Sequence, residues 1–233
     1  MLAVSNLCTR YGSSQALFGM QLEVAAGEVV TLLGRNGMGK TTTINSIMGI
    51  VKPASGEITY KGKSISGKPP FVIAKQGLGL VPEGRQIFPN LTVRENLTAT
   101  ASAGIGKARK WTLDRVLAMF PQLQERLGSM GNLLSGGEQQ MLAIGRALMI
   151  NPDLLLLDDA TEGLAPMVRK EIWASLAELK ADGLSILVVD KNLNDLIALA
   201  DRHYVVEKGK VAWTGDTNSL REESWVKETY LGV

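Results

Sequence analysis

The chain has 233 residues, 45% of them hydrophobic and only 5% aromatic, with 25 basic against 23 acidic side chains. That length suits one large α/β domain with a modest insertion, and a Leu-, Val-, Ile- and Ala-rich interior suits a parallel sheet covered by helices. The net charge of +2 lacks the basic excess of a dedicated nucleic-acid binder, so no nucleic-acid partner is expected.

The single cysteine, Cys8, excludes an intramolecular disulfide and reads as a small buried residue of a protein kept in a reducing compartment. The opening residues lack a basic stretch followed by an apolar run of roughly 7–15 residues, so no signal peptide is expected. No run approaches about 18 uncharged apolar residues. Any membrane role must therefore come through partners.

Short β-like runs occupy 2–7, 21–24 and 28–33, the last ending at Gly34, and a helix is expected over 40–49. Residues 56–60 and 63–65 flank Lys61-Gly62 as a hairpin. The apolar run 77–81 is a strand closed by Pro82. From 85 to 145 the pattern is helical, an insertion within a sheet-centred domain, and 98–110 reads as an exposed loop. Strands then return at 154–157 and 185–189. A helix over 168–181 is stopped by Gly183, and another covers 192–200. A hairpin pairs 203–207 with 210–214 around Gly209, and His203 takes a surface or hairpin position. The tail, 216–233, is surface packing or an assembly contact. This alternation argues for one α/β domain over 1–233, its sheet covered on both faces.

Gly34-Arg35-Asn36-Gly37-Met38-Gly39-Lys40-Thr41 fits G-x-x-x-x-G-K-[ST] between a predicted strand and a predicted helix. Its glycines let backbone N–H groups converge on phosphate oxygens, and the helix start adds partial positive charge. Lys40 supplies a point charge for the β- and γ-phosphates, and the Thr41 hydroxyl is placed to ligate Mg²⁺, with Thr42 next in line. The all-apolar run 154–157 ends in Asp158, a carboxylate set beside that loop for Mg²⁺. Asp159 follows, where a base orienting the attacking water would sit.

Leu134-Ser135-Gly136-Gly137-Glu138 opens a long helix and makes a second anion-binding N-terminus. One nucleotide scarcely needs two cradles, so this one is expected to face a partner's nucleotide. With this motif the sequence resembles the ABC ATPases, in order and spacing from residue 1 to about 215. The resemblance implies a P-loop NTPase core, an antiparallel β-subdomain and an inserted helical subdomain over 85–145. It implies two such chains arranged head to tail, each ATP lying between one P-loop and the other's Ser135–Glu138 segment. It also implies that Tyr11 stacks on adenine.

Val81-Pro82-Glu83-Gly84-Arg85, Thr161-Glu162-Gly163-Leu164-Ala165-Pro166 and Val189-Asp190-Lys191-Asn192 are similar to the ATPases of bacterial branched-chain amino-acid importers. That likeness implies transmembrane permease subunits, a periplasmic solute-binding protein and a place on the cytoplasmic face of the inner membrane. The chain itself would not touch the amino acid.

Three positions depart from the general pattern. Glu83 replaces a glutamine that ligates Mg²⁺ and senses the γ-phosphate, a change a carboxylate can accommodate. Asp159 replaces a longer glutamate. Lys191 stands at a switch-histidine position and can hold a phosphate but not readily relay a proton. Since all three lie on the P-loop side, the chain's own site is expected to hydrolyse slowly while its signature completes a faster site on a different partner chain. Coupling to a permease is expected around 85–97. The alternatives are a regulatory nucleotide-binding module with little hydrolysis and a non-transport ABC ATPase.

Overall fold

A computed structural model describes residues 1–102 and 110–232. Its strands are β1 (Leu2–Tyr11), β2 (Ser14–Val24), β3 (Val29–Leu33), β4 (Ser55–Tyr60), β5 (Lys63–Ser64), β6 (Leu78–Val81), β7 (Leu154–Asp158), β8 (Ser185–Val189), β9 (Arg202–Glu207) and β10 (Lys210–Asp216). The helices are α1 (Lys40–Ile47), α2 (Pro70–Lys75), α3 (Val93–Thr98), α4 (Leu113–Met119), α5 (Pro121–Glu125), α6 (Gly136–Leu148), α7 (Pro166–Ala181), α8 (Leu193–Leu199) and α9 (Thr217–Glu222).

The strands form two sheets, an antiparallel one in order β2-β1-β4-β5 and a larger one in order β10-β9-β3-β8-β7-β6. In the larger sheet only β10 runs antiparallel, at the edge. Its inner strands β3, β7 and β8 are buried along their whole length, as expected of a parallel sheet covered on both sides. The pleat sorts their side chains. Val29, Leu33, Leu155, Leu157, Ile186 and Val188 pack toward α6 and α7. Val30, Leu32, Leu154, Leu156, Leu187 and Val189 pack toward α1 and the antiparallel sheet. Helices α3 to α6 lie between β6 and β7 in the chain.

The expected strands 2–7 and 21–24 are the two ends of a longer hairpin. Register shifts between Val4 and Leu7 and again at Cys8, with Asn6 at φ 48°, break the period-two alternation that would have revealed it. Helix α2 went unread because it is a single Pro-started stretch of six residues. The expected helical surface over 85–97 is extended and turn-like until the capping box at Thr92 and Glu95 starts α3. Most of the expected loop 98–110 lies outside the described residues.

Two residue-level expectations are corrected. Cys8 is half-buried on β1 rather than enclosed. His203 does lie in the β9–β10 hairpin, opposite Gly215, but it is wholly buried rather than at the surface, because β9 also pairs with β3 on its other side. Its Nδ1 lies 2.8 Å from Thr31 Oγ1 and its Nε2 lies 2.9 Å from Thr217 Oγ1. Burial pushes its pKa down to about 4, so the ring is a neutral crosslink between the sheet and the start of α9.

Candidate nucleotide site

The site begins where β3 runs out. Gly34 has φ 139°, and a Cβ there would lie 2.4 Å from the Val206 carbonyl oxygen. Gly39, at φ 104°, would drive a Cβ to 2.8 Å from the Leu17 side chain. Only glycine fits both positions, so the loop between them can fold tightly and hand the chain to α1. The first turn of α1 carries no side-chain cap and no acid. Its N–H groups and the positive end of its dipole are left for an external anion. The Lys40 ammonium curls back onto the carbonyls of Gly34 (2.8 Å) and Arg35 (3.0 Å). Burial lowers its pKa, against the opposing pull of Asp159 and Asp158.

Thr41 Oγ1 donates to Asp158 Oδ1 at 3.2 Å, which places a hydroxyl and the last carboxylate of β7 side by side. Burial pushes Asp158 up to about 6, and Glu83 adds to the rise. Asp159 also stands at about 6, through burial and then its neighbours Glu162 and Asp158. Its backbone takes φ 53°, a left-handed conformation that Asp tolerates better than most residues. Carboxylate oxygens of Glu83, Asp159 and Glu162 all lie within 4.8 Å of one another. Hard oxygen donors packed this closely, with Asp158 and the Thr41 hydroxyl next to them, fit a divalent cation such as Mg²⁺.

A cleft of about 340 Å³ is lined by Asn36, Gly37, Gly39, Lys40, Thr41 and Thr42 on the loop side. Glu83, Asp159, Glu162 and Lys191 line the other side. Tyr11 stands at the rim, half exposed, with its hydroxyl 3.5 Å from Thr42 Oγ1. Met38 faces away from the cleft, its sulfur accepting from Lys208 N at 3.3 Å. Arg35 does not line the cleft but an adjoining smaller hollow that Leu231 of the tail also lines. Lys191 is not free: its ammonium is paired with Glu162, which raises the lysine's pKa and lowers that of Glu162.

Ser135, Gly136, Gly137 and Glu138 do not line this cleft. They form the start of the 13-residue α6, where Ser135 Oγ accepts from Glu138 N and Glu138 Oε2 accepts from Ser135 N. The serine hydroxyl keeps its own hydrogen to donate outward. The Arg85 guanidinium rests over Gly136, 3.0 Å from where a Cβ would stand, and Val168 closes the space beside Gly137. Two residues at or beneath the cleft have no role in the sequence analysis: Glu162, which lines it, and Asp190, buried in the loop of Lys191. An acid close behind Asp159 was the available signal for Glu162, while Asp190 carried none, because its partners come from distant segments.

The description of the ABC transporter family matches residues 17–162. The "High-affinity branched-chain amino acid transport ATP-binding protein BraG" of Pseudomonas aeruginosa is 41% identical over all of both chains. The "Lipopolysaccharide export system ATP-binding protein LptB" of Escherichia coli K12 is 33% identical over 99% of this chain and 97% of its own. A nucleotide-free ATP-binding cassette from an ABC transporter superposes with TM-score 0.83, at 28% identity, over 97% of each chain. A dimeric cassette in a post-hydrolysis state with ADP and Pi superposes with TM-score 0.80, at 27% identity, over 93% of this chain and 99% of that one. The chain belongs to the ABC transporter ATP-binding family. It is an ATP-binding, ATP-hydrolysing subunit that powers transport, and its fold is that of the ABC ATPase cassette.

Proposed function

We propose that this chain hydrolyses Mg-ATP to drive uptake of branched-chain or other hydrophobic amino acids through permease subunits at the cytoplasmic face of the inner membrane. Full-length identity of 41% to a branched-chain amino-acid transport ATPase supports the substrate class. Among the described residues no helix is long and apolar enough to cross a membrane, so attachment is through partners. A solute-binding protein would feed the permeases.

The observation that carries the nucleotide reading is the division of phosphate-binding parts. The P-loop, Glu83, Asp159 and Lys191 share one cleft, while Ser135–Gly137 open elsewhere. A second chain, head to tail, brings its own α6 start to this cleft and receives this chain's in return. Lys40 and the N–H groups of residues 36–41 hold the phosphates, and Tyr11 stacks on the base. Thr41, Asp158 and Glu83 would hold Mg²⁺, which would offset charge on the phosphates. Asp159 orients the attacking water. The domain is read as a single unit over 1–233, with 85–145 carrying the signature against the core. Phe88, Met130 and Leu133, exposed at this level, offer apolar contacts to a permease loop.

The departures at Glu83, Asp159 and Lys191 support a different ATPase chain as the working partner, one whose own P-loop meets the intact signature of this chain. Reconstitution of the complex into vesicles tests the proposal. ATP-dependent uptake of leucine that is lost with Lys40→Ala in this chain and its partner together supports it. Uptake indifferent to both substitutions, or a complex that moves lipopolysaccharide instead, overturns it.

A further inference from the structure

The pair between Glu162 and Lys191 joins two loops that are already clamped from below. Asp190, buried to 7% exposure, accepts at Oδ2 from Thr161 N and Thr161 Oγ1, both at 2.7 Å. Its Oδ1 accepts from Asn192 N at 2.8 Å and Asn192 Nδ2 at 2.6 Å. Asn192 Nδ2 also donates to Thr161 Oγ1 at 2.9 Å, and Arg169 of α7 donates to Asn192 Oδ1 at 3.1 Å. One buried carboxylate with four donors thus fixes the loop after β7 against the loop after β8. Residues 162 and 191 are neighbours of that clamp and face the nucleotide cleft.

An ion pair with side chains 46% and 52% exposed adds little to folding. Its place suggests another use. A lysine has a long flexible stem and loses much rotamer freedom when its ammonium must sit at one point. A carboxylate that already holds the ammonium beside the cleft removes most of that cost before nucleotide arrives. A terminal phosphate carries more negative charge than one carboxylate, so it can take the ammonium over. Glu162 and Lys191 line the same cleft as Lys40 and Thr41, so the transfer stays within one cleft.

We propose that Glu162 is a positioning residue for ATP hydrolysis: it holds the Lys191 ammonium at the mouth of the cleft and yields it to the terminal phosphate of bound nucleotide. The proposal rests on the reading of this cleft as the Mg-ATP site. It assigns to Glu162 a role through Lys191, apart from the Mg²⁺ ligands Thr41, Asp158 and Glu83.

The test uses the assembled complex whose partner ATPase carries alanine at its own P-loop lysine, so that only this chain's cleft turns over. Glu162→Gln lowers kcat roughly 10- to 100-fold with KM changed by less than about threefold. Lys191→Gln does the same, and the double substitution is no worse than Lys191→Gln alone. Binding of a fluorescent ATP analogue to the full chain stays within about threefold, and the melting temperature moves by under about 2 °C, as for an exposed pair. Losses that multiply in the double variant, or full turnover in Glu162→Gln, overturn the proposal. Lys40→Ala is the separate control. If it leaves analogue binding intact, the nucleotide reading fails. If it abolishes binding while Glu162→Gln keeps full rate, only the positioning role falls.

Discussion

Thr41 donates its hydroxyl to Asp158 across 3.2 Å, joining the first turn of α1 to the last residue of β7. The contact spans two elements that meet only because β3 and β7 flank β8 in one parallel sheet. A metal held there needs both oxygens, the hydroxyl directly and the carboxylate directly or through water. Thr41→Ala and Asp158→Asn are therefore each expected to raise the Mg²⁺ concentration for half-maximal ATPase activity at least tenfold and to lower kcat. Titrating Mg²⁺ at fixed ATP checks this. An unchanged Mg²⁺ midpoint in both variants would remove Thr41 and Asp158 from the metal site.

The division of labour between two unlike chains has its own measurement. In a mixed pair, phosphate release is followed with Lys40→Ala in this chain and with the matching change in the partner. The partner's lysine is expected to matter more, with residual turnover of about a tenth or less when it is lost. The Lys40 change is expected to leave most of the rate, because Asp159 is a short carboxylate for orienting the attacking water. The opposite ranking sinks the idea of a slow site here.

Much of this was legible in the sequence because its chemistry is local. Gly34 to Thr41 needs only consecutive residues to make a cradle, and Ser135 to Glu138 needs only a capping box. The sheet was legible too, since 154–157 and 185–189 are short apolar runs bounded by turn residues. What stayed hidden depends on contacts between distant segments. His203 looks exposed beside Asp201 and Arg202, and its burial follows from Thr31 and Thr217 closing on it from two other elements. Asp190 and Thr161 are separated by 29 residues, and nothing in either stretch announces their bond. The Lys191 reading foresaw a lysine for phosphate but not the carboxylate already holding it.

His203 gives a pH-dependent prediction. Its folded pKa of about 4 lies below its ordinary 6.5, so its contribution to stability is complete above about 6.5 and is lost as pH falls toward about 4. The full swing is on the order of 3 kcal/mol. Asp158 and Asp159, raised to about 6 from 3.8, act oppositely: they favour the folded state at low pH and cease to do so as pH rises through that interval. The total curve is therefore flattened, and a difference is needed. The gap in unfolding free energy between the wild type and His203→Asn, from denaturant titrations at pH 4.5, 5.5 and 7, is expected to shrink as pH falls. A gap that is constant or grows in acid would show that the ring is not a neutral buried crosslink.

Asp159 supplies the last and sharpest test. It follows β7 at φ 53°, and its carboxyl is one methylene shorter than the glutamate that the family resemblance implies there. Two effects oppose each other in Asp159→Glu. The longer side chain moves the carboxylate toward the water it must orient, and a correction of about 1 Å is worth up to roughly 100-fold in rate. The left-handed backbone suits Glu less well than Asp, at a cost of about 1 kcal/mol, which lowers the melting temperature by roughly 2–4 °C for a chain of this size. The rate gain exceeds the stability loss, because a few degrees of melting temperature leave the native population intact at 25 °C. Asp159→Glu is thus expected to raise kcat about tenfold or more in the pair whose partner P-loop is disabled, and to lower the melting temperature slightly. A folded variant with unchanged or reduced kcat would mean that the carboxylate length is already matched to this cleft, with Glu162 and Lys191 built around it.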